Sequence, residues 1–208
     1  MAGKIINNVV FDFGGVLVEW DPHRLYDDYF GDIEKADWFL ANICTMEWNS
    51  QMDAGKPFSV GVAELSSLHP EWSTEIHMYY EHWIDMMGNQ IPGMEELVLD
   101  LKKKGVRLFG LTNWSAETFP LVEHRYKIFS HLDGMLVSGY EHMIKPSADY
   151  FALLLDRFSL NAEECLFVDD NQANVDGAIR IGMNAVRFQN AELLKDFLKK
   201  LLHYGTHR

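Results

Sequence analysis

The chain has 208 residues, of which 48% are hydrophobic, which predicts one folded core with room for a small insertion and argues against a disordered chain. Its formal net charge of −13 disfavours nucleic acid and anionic membrane surfaces as partners, so an anionic substrate would need a lysine, a cation or backbone amides to bind. Two widely spaced cysteines, Cys44 and Cys165, and the lack of any signal-peptide or transmembrane stretch predict a cytoplasmic protein with reduced thiols.

The first predicted element is a short apolar strand over residues 5–11, which ends directly before an aspartate. This residue, Asp12, stands in the stretch FDFGG, so that Gly14 and Gly15 follow it closely. A single carboxylate next to a glycine turn is typical of a nucleophile that is presented to a phosphate group.

Residues 19–88 contain no convincing strand and predict an inserted helical segment. Helical periodicity is clear over residues 58–69 and 73–87. An all-helical segment between the first two strands of a sheet suggests a cap that closes over an active site. We therefore expect a core made of residues 1–18 and 89–208, with residues 19–88 as the cap.

Most of the tryptophans fall in this predicted cap. We expect them to fill a small helical core, although one or two of them, Trp20 or Trp48, could instead line a pocket that faces the sheet. The cap tryptophans are Trp20, Trp38, Trp48, Trp72 and Trp83.

After residue 88, short apolar runs alternate with longer amphipathic ones. The short runs predict buried strands at residues 106–111, 134–138, 165–169 and 184–188. The amphipathic runs predict helices at residues 93–104, 115–125, 147–158, 172–181 and 190–202. Alternating strands and helices are typical of an α/β fold, here a Rossmann-like parallel sheet with helices on both faces.

Polar side chains follow the predicted strands at the points where ligands bind in open α/β sheets. After the first strand comes Asp12, after the second come Thr112 and Asn113, shortly after the third comes Lys145, and at the end of the fourth stand Asp169 and Asp170. Taken singly, such residues are common as helix caps, turn openers or solvated loop residues. Taken together, carboxylates that converge in one crevice require a cation, and all-oxygen ligands suit Mg²⁺. A lysine and a hydroxyl group beside them would hold a phosphate.

On this ordered set of strand-end residues, the chain resembles the haloacid dehalogenase-like hydrolase superfamily over essentially its whole length. The resemblance is to the group with a small helical cap after the first strand. It implies that Asp12 is a nucleophile that forms an aspartyl intermediate and that Thr112 and the amide of Asn113 bind the transferring phosphate. It also implies that Lys145 steadies both nucleophile and phosphate.

The resemblance implies a Mg²⁺ site as well. Asp12, the backbone carbonyl of Gly14 and Asp170 would ligate the metal, and Asp169 would be either a ligand or an anchor behind them. Asn174 would orient these carboxylates, with a plain polar position on the first helical turn as the compatible alternative. Gly14 and Gly15 would border the bound substrate.

The chain departs from the family's phosphatases at Gly14, where they usually carry an aspartate that acts as the acid and base. General acid–base catalysis contributes about 10²- to 10⁴-fold, so its loss predicts a slow phosphatase rather than an inactive one. The loss should matter least for leaving groups that need little protonation, such as anomeric sugar, acyl or aryl phosphates. The resemblance to a subgroup with glycine here, which includes sugar-1-phosphate phosphatases, favours a substrate like glucose 1-phosphate.

The stretch VEWDPHR offers three candidates for a substitute acid, Glu19, Asp21 and His23. The alternative for Asp21 is a helix cap followed by proline at the first helical position. The expected activity is therefore Mg²⁺-dependent hydrolysis of a small phosphorylated metabolite, in an oligomeric state left open. Two alternatives remain: a 2-haloacid dehalogenase that uses the same aspartate, and an inactive relative that binds a phosphorylated ligand or a protein.

Overall fold

A computed structural model describes residues 6–203, so residue 5 of the first predicted strand lies outside the described part. Five parallel strands form the central sheet in the order β5-β4-β1-β6-β7. Their bounds are Asn8–Phe11 (β1), Arg107–Thr112 (β4), Gly134–Val137 (β5), Cys165–Asp169 (β6) and Asn184–Arg187 (β7). All five predicted strands are present, with ends that differ from the predicted ones by at most three residues.

Helices cover both faces of this sheet, which confirms the predicted Rossmann-like α/β fold. Along β1, Val9 and Phe11 belong to one buried cluster and Val10 belongs to the other, as the two-residue period of a strand requires. The first cluster includes side chains of α6 (Met94–Lys103) and α10 (Ala191–His203), and the second includes side chains of α8 (Ala148–Arg157) and α9 (Gln172–Arg180). A one-turn helix, α7 (Ser138–Glu141), follows β5.

Five helices between β2 (Val18–Trp20) and β3 (Met87–Gln90) form the cap. Their shared interior is aromatic, with Tyr26, Phe39, Phe58 and Tyr79 fully buried. Side-chain caps begin two of the helices, because Asp32 accepts a hydrogen bond from the Lys35 amide and Thr45 accepts one from the Trp48 amide. The helices are α1 (His23–Phe30), α2 (Ile33–Asn42), α3 (Met46–Asp53), α4 (Phe58–Leu68) and α5 (Ser73–Glu81).

The expectation that residues 19–88 lack strands was wrong at both ends of the segment. Strands β2 and β3 pair with each other in an antiparallel ribbon, and their three and four residues are too few to show an alternating pattern. The predicted core–cap boundaries, after residues 18 and 88, fall within this ribbon and remain a prediction. The predicted helix over 73–87 also ends early, at Glu81, and a 3₁₀ turn over Trp83–Met86 leads into β3.

The predicted helix over residues 115–125 was wrong as well. This segment consists of turns with one 3₁₀ helix of three residues, Phe119–Leu121. Pro120 lies in the middle of it and has no N–H to donate, so an α-helix cannot run through this position without losing a hydrogen bond. The Ser115 hydroxyl also accepts a hydrogen bond from the Glu117 amide, which favours a turn.

Both cysteines, Cys44 and Cys165, are buried free thiols. Burial raises the pKa of Cys165 to about 11, so its thiol stays protonated near neutral pH. Among residues 6–203, no helix combines the length and the apolarity that crossing a membrane would require.

Candidate active site

The carboxyl ends of the sheet strands bring a lysine and two aspartates into direct contact. Because β1 and β6 pair in parallel with Phe11 opposite Val168, the next residues, Asp12 and Asp169, emerge side by side. The Nζ atom of Lys145 lies 2.8 Å from Oδ2 of Asp12 and 2.7 Å from Oδ2 of Asp169. We call Asp12, Lys145, Asp169 and the neighbouring Asp170 the strand-end cluster.

Lys145 is held from its backbone by a residue at the end of β4. The side chain of Asn113 donates to the Lys145 carbonyl oxygen at 3.1 Å and accepts from the Lys145 amide at 2.8 Å. The sequence pattern suggested a role only for the backbone amide of Asn113. The structure shows that its side chain also fixes the loop from which Lys145 reaches the carboxylates.

Asp169 is fully buried and its carboxylate accepts bonds from three residues. Lys145 donates to Oδ2, the Asn171 amide donates to Oδ1 at 2.8 Å, and the Asn174 amide group lies 3.1 Å from both oxygens. Asn174 therefore contacts the carboxylate that it was expected to orient. These contacts hold Asp169 in place behind Asp12, with Lys145 between the two carboxylates.

The loop after β1 is a tight turn around one carbonyl oxygen. The Phe13 carbonyl accepts hydrogen bonds from the amides of Val16, Leu17 and Val18. Gly15 has a φ of 75°, and a Cβ atom added there would lie 2.6 Å from Oδ2 of Asp170, so glycine is required for this close approach. Gly14 is less constrained, since a Cβ atom there would meet only Trp20 Cβ at 3.9 Å.

The donor set of the strand-end cluster fits a divalent cation. One carboxylate oxygen from each of Asp12, Asp169 and Asp170 lies within 4.8 Å of the others. Burial raises the pKa of Asp12, with Asp169 adding to the effect and Lys145 opposing it, and burial together with Asp169 raises the pKa of Asp170. Two carboxylates thus share one lysine and a third lies beside them, an arrangement that all-oxygen coordination of Mg²⁺ would stabilise.

Burial acts on Lys145 in the opposite sense. Desolvation by itself lowers the pKa of Lys145, but the charges of Asp12 and Asp169 and the hydrogen bonds to them outweigh it and raise that pKa. Lys145 therefore stays positively charged at neutral pH, although its side chain is 0% exposed.

A cavity of about 550 Å³ lies between the strand-end cluster and the cap. Asp12, Lys145 and Asp170 line it, as do Gly14, Gly15 and Asn113. Three tryptophans, Trp20, Trp83 and Trp114, also line it together with Thr118, and we call these four residues the tryptophan wall. Thr112, expected beside the phosphate, is the last residue of β4 and is buried, but it is not among the residues that line this cavity.

Sequence reasoning identified this wall only in part. Trp20 lines the cavity, as one alternative proposed, whereas Trp48 is buried within the cap and donates its Nε1 hydrogen to the Gly61 carbonyl oxygen. Trp83 and Trp114 were missed, although Trp114 directly follows the strand-end residue Asn113 and could have been found from that position. Trp38 is 49% exposed and so does not fill the cap interior.

None of the three suggested substitute acids is among the residues that line the cavity. Asp21 accepts a hydrogen bond from the His23 amide at the start of α1, in keeping with its alternative role as a helix cap. His23 contacts Asp27, and the Glu19 carboxylate accepts from the Asn89 amide. A different acidic residue of the cap, Asp53, does line the cavity, and sequence reasoning missed it.

A family model of haloacid dehalogenase-like hydrolases matches residues 6–182 of the chain. The sesquiterpene phosphatase astK of Aspergillus oryzae is 27% identical over 181 residues, which cover 84% of this chain and 85% of that protein. Flavin mononucleotide hydrolase 1 of Arabidopsis thaliana is 27% identical over 111 residues, so this chain spans only 45% of that relative.

Solved structures show the same fold. The magnesium complex of the HAD family enzyme bt-2542 from Bacteroides thetaiotaomicron aligns with a TM-score of 0.73 at 18% identity. The alignment covers 94% of this chain and 100% of that one. The arrangement of sheet and cap is therefore shared with an enzyme whose sequence differs at most positions.

Proposed function

The chain belongs to the haloacid dehalogenase-like hydrolases, and we propose that it hydrolyses a small phosphate monoester through an aspartyl-phosphate intermediate on Asp12, with Mg²⁺ as cofactor. The observation that carries this proposal is the contact between Asp12 and Lys145 at the floor of a cavity that Asp170 also lines. A nucleophile, a buried cation and a further carboxylate are the groups that phosphoryl transfer to an aspartate needs.

Asp12 is oriented by two donors. The Phe13 amide donates to Oδ1 at 2.6 Å and Lys145 donates to Oδ2 at 2.8 Å. The carboxylate is 12% exposed, and Asp12 lines the cavity, so a phosphorus atom there could be reached without rearranging the core. In this proposal, the negative charge of the phosphate is balanced by Lys145, and the backbone of Asn113 and of the Gly14–Gly15 loop borders it.

Mg²⁺, held by Asp12, Asp170 and the Gly14 carbonyl, would offset the charge that a phosphate group adds to the carboxylates. The many hydrogen bonds to Asp169 support the role of an anchor for that residue over that of a direct ligand. Thr112, which is buried and does not line the cavity, would act on the phosphate only after a local adjustment.

The leaving group should carry a flat or apolar part, since the cavity presents three tryptophans beside the strand-end cluster. The relatives named for a sesquiterpene phosphate and for flavin mononucleotide support this class of ester. The glycine at position 14 supports a second candidate substrate, a sugar 1-phosphate, because its leaving group needs little protonation. A cytoplasmic setting is part of the same proposal and accords with two buried free thiols.

Two other functions fit the site less well. A haloacid dehalogenase needs no metal and would favour an apolar surface where Asp169 and Asp170 stand. An inactive binding protein is supported by Gly14, but it would have no evident use for a buried lysine between two carboxylates.

A panel of phosphate esters, assayed with Mg²⁺ and with EDTA, tests the proposal. It should include p-nitrophenyl phosphate, glucose 1-phosphate, a prenyl phosphate and flavin mononucleotide. Asp12→Asn should abolish turnover of every ester that the wild type hydrolyses, whereas Asp156→Asn, a change at an exposed position of α8, should not. Release of chloride from a 2-haloacid in EDTA would instead indicate a dehalogenase. Ligand binding without any turnover would indicate an inactive relative.

A further inference from the structure

The cap contributes to the cavity a carboxyl group that the strand-end pattern does not explain. Asp53 is the last residue of α3 and lines the same cavity as Asp12 and Lys145. Building on the phosphatase activity proposed above, we propose that Asp53 is the catalytic acid and base that the glycine at position 14 cannot be. The proposal goes beyond that activity because it names a group in the cap that touches the leaving oxygen.

The position of Asp53 in its helix is locally unfavourable. The C-terminal end of a helix carries a partial negative charge, so it favours cations and destabilises a carboxylate. An acidic residue at the last position of α3 therefore destabilises the helix unless its carboxyl group is protonated. Such a residue is expected where the carboxyl group has a functional role. Local propensity is often overridden in this way at functional sites.

The backbone of Asp53 is fixed to the core of the protein. The Ser138 hydroxyl, fully buried after β5, donates to the Asp53 carbonyl oxygen at 2.6 Å and accepts from the Trp114 amide at 2.8 Å. One hydroxyl group thus ties the end of α3 to the segment that follows Asn113 at the strand ends. The backbone of Asp53 is therefore anchored to the strand ends of the core rather than lying on an unattached segment.

The side chain of Asp53 is oriented as well. Asn49, one turn earlier on α3, donates to its Oδ2 at 3.0 Å. No side chain among residues 6–203 donates to Oδ1, so a ligand at this oxygen would compete with no side-chain donor. The Ser115 amide and the charge of Lys145 also act on this carboxyl group, and both favour its charged form.

Burial raises the pKa of Asp53 to about 7, with the Ser115 amide and Lys145 opposing the rise. Tyr79 and Tyr150 also interact with the charge of Asp53, and both stay neutral because burial raises the pKa of each. A carboxyl group with such a pKa populates both protonation states at neutral pH, as a group that gives and then takes a proton must.

The other acidic residues around the cavity are less suited to the role. Asp12 and Asp170 belong to the strand-end cluster, where one would be consumed as nucleophile and the other would hold the metal. Glu47 lines the cavity from the first turn of α3, but it is exposed to solvent. Asp53 is the remaining acidic residue among those that line the cavity.

The reaction proceeds in two balanced steps. In the first, an oxygen of Asp12 bonds to phosphorus while the ester P–O bond breaks, and the Asp53 carboxyl proton passes to the ester oxygen, which leaves as an alcohol. In the second, a water oxygen bonds to phosphorus while the Asp12–phosphorus bond breaks, and a water proton passes to the Asp53 carboxylate. Inorganic phosphate leaves, and both aspartates return to their starting states.

Leaving-group dependence tests the inference, because an aryl phosphate needs no acid in the first step but still needs a base in the second. Asp53→Asn should lower kcat for an alkyl phosphate by about 10²- to 10³-fold. With p-nitrophenyl phosphate it should give a burst of about one equivalent of nitrophenolate, followed by slow turnover as the aspartyl-phosphate accumulates. Glu81→Gln, which changes the acidic last residue of the exposed end of α5, should show neither effect.

A rescue experiment separates chemistry from folding. Gly14→Asp has room for its Cβ atom, so in the Asp53→Asn background it should recover at least about 10-fold of the lost alkyl phosphatase rate. In the wild-type background the same change should have a much smaller effect. Asp53→Ser serves as a second variant without the acid, and both variants are compared with the wild type by thermal unfolding.

The outcomes distinguish this inference from the function on which it rests. If the wild type hydrolyses no ester, the proposed phosphatase activity itself fails. If the wild type is active and the Asp53 variants match it, or lose alkyl and aryl turnover equally without a burst, Asp53 is not the acid. A burst in Asp53→Asn together with recovery by Gly14→Asp supports the assignment.

Discussion

The strand-end cluster and the tryptophan wall border the same cavity but differ in how far their polar groups are satisfied. In the cluster, Lys145 bridges Asp12 and Asp169, and Asn174 contacts both oxygens of Asp169. In the wall, three buried atoms have no hydrogen-bond partner within the described part of the chain: Trp20 Nε1, Trp114 Nε1 and Thr118 Oγ1. The strand-end cluster is thus organised in advance, whereas the wall keeps unpaired polar atoms that a ligand would satisfy after a local adjustment of their side chains.

This difference suggests that the strand-end cluster determines the reaction and that the tryptophan wall determines substrate specificity. A buried donor without a partner costs about 1–3 kcal/mol, a cost that a bound substrate with acceptor atoms would remove. A carboxylate that is already saturated, such as Asp169, gains nothing from a ligand and serves to hold its neighbours. Changes to the cluster should therefore affect every substrate alike, and changes to the wall should affect substrates selectively.

The largest expected effect comes from removing the cation of the cluster. Lys145→Met leaves Asp12 and Asp169 buried without their shared counter-charge, so the free energy of unfolding should fall by about 3–5 kcal/mol. The catalytic rate should fall by about 10³-fold or more for every ester. Urea unfolding and steady-state kinetics on the ester panel measure both effects.

Lys104→Met is the matched control for this prediction. Lys104 also contacts a carboxylate, that of Asp100 at 2.8 Å, but both side chains are about half exposed. Solvent screens such a pair, so stability and activity should hardly change. If Lys145→Met unfolded at the same urea concentration as Lys104→Met, the interpretation of the cluster as a preorganised charge network would be wrong.

A smaller effect, on Mg²⁺ binding and to a lesser degree on stability, is expected at the glycine that approaches Asp170. Gly15→Ala imposes a left-handed conformation on alanine, which costs about 1–2 kcal/mol, and its Cβ atom would displace the Asp170 carboxylate. The Mg²⁺ concentration needed for half-maximal activity should rise about 10- to 100-fold, as should that needed for half of the thermal stabilisation by Mg²⁺.

Gly105→Ala distinguishes strain from contact. Gly105 has a φ of 78°, close to that of Gly15, but a Cβ atom there would meet nothing within 4 Å. Its substitution should lower the melting temperature to a similar degree while leaving the Mg²⁺ dependence unchanged. Equal shifts of the Mg²⁺ dependence in the two variants would show that backbone strain, and not Asp170, is responsible.

The strand-end cluster could be located from the sequence because its signal, a short apolar run before a polar residue, is local. Its aspartates stand at the ends of short apolar runs and Lys145 comes shortly after one, and parallel strands bring their carboxyl ends to one edge of the sheet. The five strands and most core helices were predicted to within a few residues for the same reason. The helix expected over residues 115–125 failed where Pro120 and the Ser115 turn outweighed the amphipathic pattern.

The cap side of the cavity could not be predicted in the same way. A helical pattern shows which face is apolar but not which end of a cap helix will meet the sheet, so Asp53 and Trp83 carried no recognised signal. The flap residues Glu19, Asp21 and His23 were favoured because they are close to Asp12 in sequence. The chain instead brings Asp53, more than forty residues from the predicted nucleophile, to the cavity through the Ser138 contact.

The smallest and most selective effect is expected in the tryptophan wall, at Thr118. Thr118→Val keeps the shape of the side chain but removes the hydroxyl group of a residue that is 1% exposed, and this group has no partner among residues 6–203. The free energy of unfolding should stay equal or rise by up to about 1 kcal/mol, while KM should rise several-fold for esters that bind this hydroxyl group.

Thr45→Val shows what the loss of a satisfied hydroxyl group does by comparison. The Thr45 side chain accepts a hydrogen bond from the Trp48 amide at the start of α3, so its removal should cost about 1 kcal/mol. It should leave KM unchanged, because Thr45 is not among the residues that line the cavity. If Thr118→Val instead destabilised the protein as much as Thr45→Val, its hydroxyl group would be satisfied in the free protein. The wall would then be as organised as the cluster, and specificity would have to come from the shape of the three tryptophans alone.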